Sequence, residues 1–294
     1  MIYLRPTAGT CNRLRAIAAA LSLSKACDDE LCVYWVADSG MNEKFTNLFE
    51  DNGSFTLIEN PSDELNARFT ADNEWSFEQS DFSDLKKVEA VCEKILKSRP
   101  KGQDVFISTL SHFYGNHDYS WLAFSSHVQE MAAEYLCQFG SNCIGVHVRR
   151  TDNVKSCAYS PVTMFIDTIK DEIDKDKQAR FFLATDSEVV RQILMLRFGN
   201  RIITRKGISA RFDPQGIIDG VVDLMLLVRT KKIYGSYWSS FSQEAARIGK
   251  IPCSILRESW QDPLKKVAEL NDMISNVMLA QMQCEKIIGA GSLS

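Results

Sequence analysis

In IGVHVRRTDN, residues Ile144 to Asn153, two arginines and an aspartate stand together at the end of an apolar run. A guanidinium is a planar fork of N–H donors that matches phosphate or carboxylate oxygens, so the chemistry suggested is anion binding. Ile144 to Val148 lack clean alternation and read as a strand covered on both faces, as in a parallel sheet. Arg149 and Arg150 then fall at its carboxyl end, where open α/β sheets gather their ligands.

Four more stretches carry candidate chemistry. TAGTCNRLR follows the first strand, where free amides and a helix dipole favour an anion. The alternative is that Asn12 caps the helix while Arg13 and Arg15 lie on its solvated side. In FFLATDSEV, Thr185 and Glu188 fit a capping box, which would leave Asp186 as charge in a first helical turn. GIIDGVVDLMLLV is apolar nearly all round, yet Asp219 and Asp223 lie four residues apart on one face. A buried carboxylate needs a partner, either a basic residue such as Arg229 or Lys231 or the N–H donors of a bound base. SSFSQEAARIG sets hydroxyls and Gln243 at a helix start, which suits a phosphate or a cap.

The elements that must position these groups follow from periodicity. IYL, the turn RPTAGTC and NRLRAIAAALSLSKA read as strand, loop and helix, with Leu14, Ile17, Ala18 and Leu21 at helical spacing. ELCVYWVAD and SFTLIE are expected as strands around the short helix EKFTNLFE. Pro61 to Ser83 is polar and patternless, and residues 85 to 96, DVFISTL and SSHVQEMAAEYL follow as helix, strand and helix. From Ile144 the alternation is cleaner. IGVHV, RFFLAT, RIIT, KKIYG and IPCSIL are strands, separated by VTMFIDTIKDEI, SEVVRQILMLRF, GIIDGVVDLMLLVRT and SFSQEAARIG as helices. Such units are right-handed crossovers of a parallel sheet. The expected architecture is α/β with two facing Rossmann-like domains, 1–141 and 142–260, divided near Gly140, Ser141 and Asn142. A last segment, 261–294, would place a helix from Pro263 to Ile288 back across the first domain.

Composition narrows the function classes. The 294 residues are 45% hydrophobic, ample for one large or two ordinary domains. The net charge of −4, from 34 basic and 38 acidic residues without a basic block, argues against a sequence-independent nucleic-acid surface. No apolar run approaches the roughly 18 residues of a membrane span, and Met1 leads straight into IYL, so a cytoplasmic protein is expected. Nine cysteines without a C-x-x-C indicate neither a disulfide framework nor a zinc knuckle. The pairs Cys27/Cys32 and His112/His117 have spacings a metal uses, but neither has a partner pair, and no metal site is expected.

Taken together, NRLRAI, HVRRTD, LATD, an aspartate in the apolar helix and SSFSQE resemble the α1,6-fucosyltransferase and nodulation fucosyltransferase family in order and spacing. The resemblance covers roughly Ile2 to Leu256 and extends more distantly to protein O-fucosyltransferases. It implies a GT-B fold, GDP-fucose as donor substrate bound mainly by the second domain, inverting transfer to a glycan hydroxyl, and neither metal nor cofactor. It also implies roles. Arg149 would hold the β-phosphate and neutralise charge growing on the leaving GDP, and Arg150 would brace the site or reach the same pyrophosphate. His147 would contact the nucleoside, Asp223 the guanine N–H groups, and Ser242 and Gln243 the phosphates, with Thr185 and Asp186 lining the pocket. Asn12 and Arg13 would approach from the other domain.

The sequence departs from the family after RRTD. Members of the glycan-core type carry a lysine and a glutamate there, the glutamate being a proposed base, and here those positions read Asn153 and Cys157. Asp152 is the nearest carboxylate and Asp38 a second candidate base, or a dissociative transition state leaves deprotonation late and needs no strong base. Two rival readings are a glycosyltransferase using another nucleotide sugar and a catalytically silent relative that binds nucleotide or glycan.

Overall fold

The computed structural model describes residues 1–38, 40–60, 62–69, 73–151, 153–206 and 213–258. Asp152 and the expected helix within 261–294 lie outside the described residues.

The first half runs β1 (Ile2–Pro6), α1 (Thr10–Cys27), β2 (Leu31–Tyr34), α2 (Phe45–Leu48), β3 (Thr56–Ile58), α3 (Asp63–Arg68), β4 (Ser76–Phe77), α4 (Leu85–Ser98), β5 (Val105–Thr109) and α5 (Ser126–Leu136). The second runs β6 (Cys143–Val148), α6 (Val154–Tyr159), α7 (Val162–Lys175), β7 (Arg180–Thr185), α8 (Glu188–Phe198), β8 (Ile202–Thr204), α9 (Pro214–Val228), β9 (Ile233–Ser236), α10 (Ser240–Gly249) and β10 (Cys253–Leu256). The strand order is β3-β2-β1-β5-β4 in one sheet and β10-β9-β6-β7-β8 in the other. All their pairings are parallel.

Both orders reverse direction at a central strand. From β1 the chain goes first to β2 and later to β5 on the other side; from β6 it goes first to β7 and later to β9. Loops leaving such a pair of strands diverge and open a crevice, so each sheet has its natural ligand position at the carboxyl ends of β1/β5 or β6/β9.

All six residues of β6 are buried, which explains a run without alternation: helices cover both faces of the sheet. The helix α9 is apolar all round because it packs against α5, α10 and α2 as well as β7. Likewise α1 touches β1, β2 and α10, and its Ala16, Ala18, Ala19 and Ala20 are all buried along with Leu14 and Ile17. The helix α5, read from the sequence as the close of the first half, rests on α9 of the second, and one hydrophobic core runs through both. Within the stretch that showed no pattern, α3 and the two-residue β4 form, both too short to display a period.

Candidate active site

A cleft of about 1040 Å³ lies where the carboxyl ends of the two sheets face each other, lined by residues of both. On the second sheet the chain leaves β6 at Val148, and the next two side chains part company. Arg149 lines the cleft, with its Nη1 3.1 Å from Asp186 Oδ2 and its backbone N–H donating to Ser236 Oγ at 3.0 Å. Arg150 turns away. Its Nη1 donates to the carbonyls of Arg149 (2.8 Å) and Ser156 (3.4 Å) and its Nη2 to that of Ser160 (2.6 Å). Of the two roles expected of Arg150, bracing the site or reaching the pyrophosphate, its contacts are those of a brace on the α6 segment.

Asp186 ties this turn together. It accepts from the backbone N–H groups of Arg150 (2.7 Å) and Thr151 (3.2 Å) and from Thr151 Oγ1 (2.8 Å) as well as from Arg149. The expected capping box of Thr185 and Glu188 does not form. Ser187 caps α8 instead, accepting from the Val190 N–H, while Thr185 Oγ1 donates to the Val148 carbonyl at 2.8 Å beside the cleft.

The partner of the two acids on α9 is neither Arg229 nor Lys231. Arg205, just past β8, sets Nη2 2.8 Å from Asp219 Oδ1 and Nε 2.9 Å from Asp223 Oδ1. Asp223 also lines the cleft. Burial outweighs the pull of Arg205 and pushes its carboxyl up to about 7. His147 is 6% exposed, and burial together with the Arg149 charge pulls it down to about 4, so the ring is neutral near pH 7. Its Nδ1 has no hydrogen-bond partner, and its ring centroid lies 5.0 Å from that of Phe241.

Two helices start at the cleft. Gly9 precedes α1 and Ser239 precedes α10, and neither makes a side-chain capping bond, so the first amides of each helix remain for a ligand or solvent. Asn12 is therefore the third residue of α1 and not its cap; it lines the cleft, as does Gln243, and its Oδ1 sits 3.4 Å from Ser240 Oγ across the gap. Ser242 is a correction. It is fully buried with its hydroxyl unpartnered and packs against Gly235, where an added Cβ would come within 2.2 Å of Ser242 Oγ. Its side chain faces the strand behind α10, so only the backbone there can serve a phosphate.

Arg13 is a second correction, to both of its readings. It is fully buried, with Nε on the Ala8 carbonyl (2.8 Å), Nη1 on the Val36 carbonyl (2.8 Å), Nη2 on Asp38 Oδ2 (2.7 Å) and the Trp35 ring 4.8 Å away. Arg15, assigned to solvent, lines the cleft with Nε donating to the Leu110 carbonyl at 2.7 Å. A signal for it existed: residues 11, 12 and 15 share one helical face by their spacing. Asp38, the alternative base, is engaged by Arg13 and by the N–H groups of Gly40 (2.7 Å) and Met41 (3.0 Å). At the two positions that depart from the family, Asn153 caps α6 through the Ser156 N–H (2.9 Å), and Cys157 Sγ donates to the Arg150 carbonyl (3.0 Å). Two non-glycine residues with left-handed backbone, Ala8 (φ 62°) and Trp238 (φ 57°), sit on the loops flanking the cleft.

No protein-family model matches the chain, and no curated protein matches it in sequence. Solved structures do match it. NodZ α-1,6-fucosyltransferase soaked with GDP-fucose, a protein of Bradyrhizobium, superposes with a TM-score of 0.58 at 17% identity, over 84% of this chain and 92% of its own. POFUT1 in complex with GDP-fucose gives 0.55 at 13% identity, over 87% and 97%. A mutant of Arabidopsis thaliana FUT1 in complex with GDP gives 0.63 at 14%, over 88% and 71%. The chain has the GT-B fold of these fucosyltransferases.

Behind the GT-B cleft, His112 and His117 stack with centroids 3.7 Å apart, and burial pulls both down to about 4. His117 Nδ1 lies 3.8 Å from the buried Glu244 of α10. Among the described residues no three His, Cys, Asp or Glu side chains converge to hold a metal ion, and the cysteines among them are free thiols. No helix among them is long and apolar enough to cross a membrane.

Proposed function

We propose that this chain is a fucosyltransferase-type glycosyltransferase that moves fucose from GDP-fucose to a glycan hydroxyl, with inversion and without a metal ion. The observation that carries the reading is Arg149: a guanidinium fixed by Asp186 at the switch point of the second sheet, beside the uncapped start of α10. In the reaction the bond from the sugar C1 to the β-phosphate oxygen breaks and the acceptor oxygen bonds to C1 from the opposite face. Negative charge grows on the diphosphate. Arg149 and the amides of α10 meet it with a charge and dipoles already oriented, which stabilises the transition state more than the ground state. Asp223 takes the guanine N–H donors, neutral His147 meets the nucleoside through its unpartnered Nδ1, and Asn12 and Gln243 close on the donor from the two sides. Residues 142–260 hold the donor, and 1–141 face the acceptor from across the cleft.

No strong base is required if the C1–O bond is nearly broken before the acceptor proton leaves, since the acidified hydroxyl can then release it to solvent water. Asp186 is held by Arg149 and the amides of its turn, and Asp223 by Arg205 and, in this reading, the guanine, so the pairing of both with arginine leaves neither free to act as the base. The same pairing favours a second reading, a donor-binding relative without transferase activity.

Thermal melts with GDP, ADP and UDP, each with and without EDTA, test the donor site, and mass spectrometry of GDP-fucose with a glycan panel tests transfer. GDP at about a hundredfold excess over Kd should stabilise by about 2.7 kcal/mol with EDTA present. Stabilisation only with divalent metal, or equally by all three nucleotides, overturns the donor assignment. GDP binding without any fucosylated product selects the binding-only relative.

A further inference from the structure

We propose that Trp238 is the platform on which a pyranose ring of the acceptor glycan stacks, on the indole face opposite the one that the Lys155 ammonium covers; this rests on the glycosyltransferase reading above. Trp238 lines the cleft yet is 61% exposed, and it does so at φ 57°, a backbone region that L residues rarely occupy. The strain is maintained by the scaffold beneath. Asn153 Nδ2 donates to the Trp238 carbonyl (2.9 Å), Ser156 Oγ donates to the Tyr237 carbonyl (2.6 Å), and the Tyr237 N–H donates to Ser160 Oγ (2.7 Å). The Arg257 guanidinium lies 4.3 Å from the Tyr237 ring. A loop held this firmly while its largest apolar ring stays in water is a presented surface, not an unfinished core.

The position selects the occupant. In the order β10-β9-β6-β7-β8, Trp238 follows β9, Arg149 follows β6, and Arg205, which holds Asp223, follows β8. Arg149 therefore stands between the indole and Asp223. A nucleoside diphosphate with its base at Asp223 and its β-phosphate at Arg149 directs the transferred sugar toward the β9 side, where the acceptor must meet it. An indole face attracts the C–H face of a pyranose whose substituents are equatorial, through apolar contact and the negative ring quadrupole. Lys155 Nζ lies over the indole, 3.9 Å from its centroid, a cation–π contact that covers one face, steadies the ring and leaves the opposite face for the sugar. The cation comes from α6 and the aromatic from the loop after β9, two segments that pack together at this rim.

Saturation-transfer NMR with cellotetraose, chitotetraose and maltotetraose on the GDP-saturated full chain tests this. Wild type should transfer magnetisation to at least one of the three. Trp238→Ala should weaken that oligosaccharide about tenfold or more and Trp238→Phe less, both keeping the wild-type thermal shift with GDP. The platform is overturned if no oligosaccharide binds, or if Trp238→Ala binds it as wild type does. Loss of the GDP shift in Trp238→Ala alone would place the indole against the donor and overturn it equally. A wild type that shows no GDP shift at all refutes the donor reading instead, which the melts reveal before any sugar is added.

Discussion

After β1 the inward arginine, Arg13, holds the carbonyls of Ala8 and Val36, and after β6 its counterpart Arg150 holds those of Arg149, Ser156 and Ser160. Each connection also turns one arginine to the cleft, Arg15 on α1 after the first strand and Arg149 in the loop after β6. The difference lies in what holds the outward arginine. Arg15 donates to the Leu110 carbonyl, whereas Arg149 is aimed by Asp186, a carboxylate that also takes two backbone N–H groups of the same turn. A carboxylate partner gives up part of the positive field and fixes the direction of the fork before any ligand arrives. In the proposed reaction, charge developing at one oxygen would be served by aim, so the β6 loop would meet the leaving diphosphate and Arg15 would supply field from across the cleft.

The largest effect expected is on stability. Arg13→Ala removes a fully buried cation and leaves Asp38 and two carbonyls without their partner, which should cost about 3–5 kcal/mol in denaturant unfolding. If the variant unfolds like wild type but loses donor turnover, the roles of Arg13 and Arg15 are the reverse of those argued.

Next is Arg149. Arg149→Ala should lower turnover by on the order of 10²–10³ with the melt retained, and Arg149→Lys should recover little, because a lysine keeps the charge without the fork. A lysine variant with near wild-type turnover would show that field suffices and would erase the contrast between the two loops.

Asp223→Asn should weaken GDP by about 1.5–3 kcal/mol and leave ADP and UDP little changed in calorimetric titrations. The wild type should show a pH signature as well. With the Asp223 carboxyl raised from 3.8 to about 7, the folded chain keeps a proton that the unfolded chain has released, so apo stability from this group falls as pH climbs through that window. Guanine N–H donors favour the carboxylate, so GDP affinity should rise from about pH 6 to pH 8 and then level off. A flat profile would make Asp223 only the partner of Arg205.

The smallest effect belongs to Arg15. Arg15→Ala should cost about 1 kcal/mol of GDP affinity, less at high salt, with an unchanged melt. A loss as large as that of Arg149→Ala would mean that both loops act on the diphosphate directly.

Much of this arrangement was legible in the chain and some of it was misread for identifiable reasons. Strands and helices of the second half appear where the apolar periods put them, because burial on both sheet faces leaves its mark on consecutive residues. The helix α6 escaped notice because six residues, Val154 to Tyr159, cannot display a helical period, and its start is decided by the cap that Asn153 provides. The resemblance implies a phosphate contact at Ser242, yet here the gap left by Gly235 takes its hydroxyl inward.

By itself the sequence determined that parallel α/β units form, that Arg149 stands at the carboxyl end of a covered strand, and that an acid in so apolar a helix as α9 must find a partner. These depend on local periodicity and on the cost of burying charge, which act along a few turns of chain. Only the tertiary structure decided which arginine of each pair faces the cleft, that Arg205 and no nearer basic residue meets Asp223, and that Trp238 is held at the rim by α6. The reason is physical: each of those choices is a contact between segments that the fold brings together. A side chain's direction follows from which partner offers the better hydrogen bonds, and local spacing carries no information about that.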